Sequence, residues 1–122
     1  MIENNFDGYV EAAGNYMFSQ HASQELIEAS KHEIRKCKPS IITRDFAACD
    51  QFDIMRRVSE IQAPTLVLVG NDDLMTPVKY SQYLHDNMIQ STMHVIENAG
   101  HSVMLEQPKI FNQHIREWVR NL

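Results

Sequence analysis

Basic residues are in short supply. Eleven Lys and Arg stand against sixteen Asp and Glu, a formal net charge of −5. Binding to a nucleic-acid backbone needs concentrated positive charge. The densest basic stretch, 31–38, is diluted by Glu33 and reads as a solvated helix face, so no nucleic-acid partner is expected. Cysteine is nearly absent. Cys37 and Cys49 are twelve positions apart, with no C-x-x-C pair and no H-E-x-x-H, so no metal centre is expected. Two such residues read as free thiols, buried or half-buried, in a reducing, cytoplasmic compartment. Glycine is scarce too, with four residues at 8, 14, 70 and 100. No Gly-rich phosphate loop can be written from them, which removes a nucleotide site, and no cofactor is expected. No uncharged stretch approaches the ~20 residues that span a bilayer. The opening M-I-E-N-N-F-D-G has acid and no basic segment, so neither a membrane anchor nor a signal peptide is indicated. Repeats and low-complexity linkers are missing as well.

Hydrophobic residues make up 43% and charged residues 22% of the 122 positions, enough apolar material for a globular core. The first half reads as helices without a strand. Phe6, Tyr9, Val10, Ala13 and Met17 recur at helical spacing over 5–18, with Gly14 a slight weakness. Ser23 is placed to cap a second helix running to 37, with Leu26, Ile27, Ile34 and Cys37 inward and Lys31, Glu33, Arg35 and Lys36 outward. Pro39-Ser40 opens a third, in which Ile41, Ile42, Phe46, Ala47 and Cys49 are apolar. A turn at 50–53 and a short helix at 54–59 lead to the first strand.

The second half is organised differently. Residues 65–69, T-L-V-L-V, form a short apolar run between Pro64 and Gly70, the pattern of a strand buried on both faces of a parallel sheet. Asn71, Asp72 and Asp73 follow at its carboxyl end. Thr76-Pro77 supplies an N-cap and first position for a helix to about 87, and a second strand covers about 93–96. The loop after it carries Gly100 and His101. A closing helix over 108–120 has Ile110, Phe111, His114, Ile115, Trp118 and Val119 along one stripe. Acid and histidine thus leave the same edge of one sheet, where open parallel sheets carry their functional groups. His94 reads as structural, and His21, His32, His85 and His114 as surface or interface residues.

A-P-T-L-V-L-V-G-N-D-D-L-M-T-P, followed by A-G-H-S-V-M-L-E-Q-P, resembles the C-terminal part of the α/β-hydrolase superfamily. The resemblance implies a partial fold of the α/β class. Its parts would be a helical cap or lid over 1–60 and a β-α-β-α unit with two parallel strands over 61–122. The family's G-x-x-D falls on Gly70 to Asp73, which makes Asp73 the acid of a Ser-His-Asp triad and leaves Asp72, one position early, as the rival. The family's G-H falls on Gly100-His101. Phe6, Tyr9, Met17 and Phe18, within the cap-like segment, would line a substrate pocket or serve only as helix-packing residues.

One part of the pattern is missing. The family's nucleophile sits in a G-x-S-x-G turn upstream of the acid, and no two glycines here are four apart. The sequence therefore reads as the back half of a serine-type hydrolase of esters, enol-lactones or C–C bonds in carbonyl compounds, inactive alone. A small-molecule carbonyl substrate is expected if an N-terminal half completes it. Two strands also leave unpaired edges, with Val67 and Val69 expected to face solvent unless covered. This suggests a homo-oligomer, or pairing through the exposed strands. The alternative is a non-catalytic binding or self-associating module derived from a hydrolase.

Overall fold

Residues with β-branched and leucine side chains build the centre of the molecule. The computed structural model describes residues 2–122, without the side chain of Glu3. Strand β1 (Thr65–Gly70) and strand β2 (Ser91–Ile96) pair in parallel, with Thr65 opposite Ser91, Leu68 opposite His94 and Gly70 opposite Ile96. Before them lie a 3₁₀ turn at Ile2–Asn4, helices α1 (Phe6–Met17), α2 (Gln24–Arg35) and α3 (Pro39–Asp50), and a 3₁₀ turn at Met55–Glu60. Helix α4 (Val78–Asn87) joins the strands. The short α5 (Val103–Glu106) and α6 (Pro108–Arg120) follow β2.

The caps follow the local chemistry. Asn5 accepts a hydrogen bond from the Gly8 N–H, and Ser23 accepts one from the Leu26 N–H, so both helices open on a side-chain N-cap. Thr76 does not cap α4. Pro77 occupies the N-cap position, and the Thr76 hydroxyl is committed to Asp73 instead. Sequence periodicity also passed over α5, whose single turn is too short to show a repeat.

Register partners in a parallel pair share a face, and alternate residues take opposite faces. His94 stacks on His114 of α6, with ring centroids 4.0 Å apart, so Leu66 and Leu68 also face α6. Val67 and Val69 face the side crossed by α4. They are buried, because that helix supplies the cover without which they were expected to face solvent. The unpaired feature of β1 is therefore its backbone edge rather than its valines. The Thr65 N–H is donated across to Gln90, and the Asn71 N–H to Ile96. By strand alternation the N–H groups of Leu66 and Leu68 point to the open edge. Ile96, Ala99 and Val103, packed against Phe111 of α6, form a core that anchors the loop at 97–102 through its own Ala99.

Two further expectations are overturned. Lys31 is buried rather than outward, its ammonium 2.7 Å from Glu11 and 3.0 Å from Glu28. The absence of a side chain at Gly14 lets the Lys31 stem lie across α1, so the helix-weakening glycine serves the α1–α2 contact. Cys37 and Cys49 are exposed rather than buried; Cys49 sits on α3, which buries none of its residues and leaves Phe46 and Ile41 about half in solvent. No helix of the described residues is long and apolar enough to cross a membrane.

Candidate active site

The carboxyl ends of both strands turn towards each other at unusually short range. A Cβ at Gly70 would collide with the carbonyl oxygens of Ala99 and Gly100, so only glycine lets the end of β1 lie against the loop after β2. Asn98 turns that loop with a φ of 56°, in the left-handed region that asparagine tolerates. The Asp72 N–H is donated to Ala99 at 2.9 Å, fixing the two loops edge to edge.

This arrangement brings Asp73 to His101. Oδ2 of Asp73 lies 3.0 Å from Nδ1 of His101. The other carboxylate oxygen, Oδ1, accepts the backbone N–H groups of Met75 at 2.9 Å and Thr76 at 2.8 Å. The Thr76 hydroxyl donates to Oδ2 at 3.0 Å and stands 3.2 Å from His101 Nδ1. Burial alone pushes the Asp73 carboxyl up. Hydrogen bonds from the Thr76 backbone, from His101 and from the Thr76 hydroxyl outweigh that effect, with His101's charge adding to them. The group is held below its ordinary value of 3.8.

An ionised carboxylate accepts and cannot donate, so the shared proton belongs to His101 Nδ1. Nε2 is then the ring's basic nitrogen. The Asp73 side chain is only 5% exposed, whereas that of His101 is 36% exposed. The acid is enclosed and the imidazole can be reached. Asp73, Thr76 and His101 border a hollow of about 640 Å³ that runs along the open edge of β1 past Leu66, Leu68 and Met104.

The rival acid, Asp72, contributes its backbone N–H to the loop contact, and the carboxylate meeting His101 is that of Asp73. Phe18 is buried and shares a smaller hollow with Asp73 and Leu74. The backbone carbonyl of Met17 accepts the Ser102 N–H. Phe6 and Tyr9 stack on each other at 6.2 Å, and Tyr9 meets the edge of Phe46, so these contacts are those of helix packing. Among the described residues no cluster of three or more His, Cys, Asp or Glu could hold a metal ion. Sequence reading missed the side-chain role of Thr76. The D-x-x-T spacing, which lets an Asp accept the N–H three positions on, was the available signal.

The family model described as serine aminopeptidase, S33, matches residues 8–108. A putative carbamate hydrolase of Variovorax paradoxus is 34% identical over 116 residues, covering 91% of this chain and 44% of the relative. A 3-oxoadipate enol-lactonase of Acinetobacter baylyi is 30% identical over 90 residues, covering 74% of this chain and 33% of the relative. Among solved structures, a thermophilic esterase from Thermogutta terrifontis superposes with a TM-score of 0.87 at 26% identity, covering 98% of this chain and 46% of that one. The chain thus spans less than half the length of each of these relatives. With most of its residues matched by the family model, this chain belongs to the serine aminopeptidase S33 family of α/β-hydrolases.

Proposed function

We propose that this chain supplies the acid and the base of a Ser-His-Asp triad, in a serine-type hydrolase acting on an ester or a related carbonyl compound. The observation that carries the reading is the 3.0 Å contact of Asp73 with His101 Nδ1, between two loops leaving the same sheet edge. In this role Nε2 of His101 takes the proton of an attacking serine and later returns it to the leaving group. Asp73 holds the Nδ1-protonated tautomer and stabilises the imidazolium, without itself becoming protonated. General base catalysis of this kind contributes roughly 10²–10⁴-fold.

The serine comes from sequence outside these 122 residues or from another chain, since no G-x-S-x-G occurs in them. Relatives are named for a carbamate, an enol-lactone and a methyl ester. Those names share a carbonyl carbon open to attack, and this supports an ester, an enol-lactone or a C–C bond beside a carbonyl as the substrate class. The segment 1–60 acts as the cap, with Phe18 beside Asp73 as its best-placed contribution to a substrate pocket.

The test is hydrolysis of p-nitrophenyl acetate by the purified chain, beside His101→Ala and Asp73→Ala. The expected rate is no greater than that of free imidazole. Turnover lost in both variants would place a nucleophile within these residues and overturn the assignment of the serine to other sequence.

The open edge of β1 favours a second reading, a module that pairs through that strand with a second copy or a partner chain.

A further inference from the structure

Glu106 lies outside the acid–base pair, yet its carboxylate joins two remote parts of the chain. Oε2 accepts the Gly100 N–H at 2.7 Å, immediately before His101, and Oε1 accepts the Ser19 N–H at 2.8 Å, 87 positions away in sequence. Among the described residues Glu106 takes part in none of the ion pairs. Its charge is directed at backbone donors, and charge-assisted bonds of this kind are about twice as strong as neutral ones.

The surroundings repeat the connection. The Ser102 N–H is donated to Met17 at 2.9 Å, and the Ser19 hydroxyl to Asn98 at 3.4 Å. Gly100 fits so closely against Phe18 and Ser19 that a Cβ there would stand 2.7 Å from both backbones. Ser19 and Ser102 are 5% and 4% exposed. His101 is therefore flanked on both sides by residues fastened to the turn that ends α1.

We infer that Glu106 is a positioning residue for His101, clamping the histidine loop to the turn at Phe18–Ser19 so that the helical half and the imidazole are set as one unit. Displacing that turn displaces the base, which couples the state of the helices to the Asp73–His101 contact. The inference rests on the reading of His101 as the base. Its test does not depend on turnover, so the failure of either can be told from the failure of the other.

The experiment is NMR on the whole chain labelled with ¹⁵N. It compares wild type with Glu106→Gln, which keeps the size but replaces one acceptor by a donor, and with Ser19→Pro, which removes the distant N–H, with Ser19→Ala as the control for the hydroxyl that Ser19→Pro also removes. Phe18 is already extended at φ −123° and ψ 150°, as a residue before proline must be. In Glu106→Gln, amide exchange at Gly100 and Ser19 should rise together by at least tenfold. In Ser19→Pro, exchange at Gly100 should rise by a similar factor. In both, the low-field proton between His101 Nδ1 and Asp73 should broaden or disappear, while the β1–β2 amides keep their protection. An unmoved His101 proton in both variants overturns the inference. So does an equal loss of protection along β1 and β2, which would make Glu106 a general stabiliser with no particular hold on the histidine.

Discussion

Asp73 and His101 stand 28 residues apart in sequence and 3.0 Å apart in space, with the carboxylate enclosed and the imidazole open on one side. Helix α4 and strand β2 carry the chain between them, and the parallel pairing returns it to the same sheet edge. Backbone donors fix the acid, the acid fixes one face of the ring, and Nε2 is left as the basic nitrogen.

Asp73 should make stability depend on pH in the acid range. Its folded value lies below its ordinary 3.8, so the unfolded chain takes up this proton first on acidification. The contribution is therefore complete above about pH 4 and is lost as the pH falls through the folded value. Urea unfolding from pH 6 to pH 2.5 should show wild type losing its advantage over Asp73→Asn across that window. In an enzyme completed by its serine, the same substitution should lower kcat by roughly 10⁴-fold, because Asn favours the wrong tautomer of His101.

The His94–His114 stack acts near neutrality. Burial lowers the His94 value below 6.5, the nearby His114 lowers it further, and Glu117 offsets part of the shift. The unfolded chain is protonated first, so stability is full above pH 6.5. It declines as the pH falls through 6.5 and levels off below the folded value. Thermal melts from pH 8 to pH 5 should show this slope, and His94→Phe should flatten it. Nδ1 of His114 is buried with no hydrogen-bond partner among the described residues. An unsatisfied polar atom costs about 1–3 kcal/mol, so His114→Phe should raise stability by about 1 kcal/mol.

Gly70→Ala should separate the two loops. The new methyl group meets carbonyl oxygens of the backbone, which cannot turn aside as a flexible side chain would. A loss of about 1–3 kcal/mol in urea unfolding is expected, with the His101 Nδ1 proton signal broadened.

Association should run through the open edge of β1. Leu68 directs its N–H to that edge, so Leu68→Pro removes a donor available to an added strand without breaking the ladder to β2. Sedimentation velocity should find wild type as dimer or larger at micromolar concentration and the variant shifted to monomer. A wild-type chain that stays monomeric at every concentration rejects pairing of the chain with itself.

Most of this architecture was legible in the sequence. The run T-L-V-L-V between Pro64 and Gly70, the turn residues after it and the stripe on 108–120 gave β1, the acid loop and α6 with small errors at their ends. What escaped depends on tertiary contacts that no local pattern encodes. Lys31 reads as a surface residue until Gly14 of another helix makes room for its stem. Thr76 reads as a helix cap until the Asp73 carboxylate claims its hydroxyl. Val67 and Val69 face solvent or interior according to what covers them, and only the placement of α4 decides that. Within the site, the pair Asp73 and His101 was found from motif and order. The clamp at Glu106 was not, because its second donor, Ser19, lies 87 positions away.

Complementation tests the central claim most directly. The part of a relative that this chain does not match, such as that of the Variovorax paradoxus protein, would be coexpressed with this chain and assayed on p-nitrophenyl acetate. The predicted result is turnover in the complex that neither part has alone, abolished by His101→Ala and reduced roughly 10⁴-fold by Asp73→Asn. A complex as inactive as its parts, or one that keeps its turnover without the imidazole of His101, contradicts the assignment of Asp73 and His101 as acid and base.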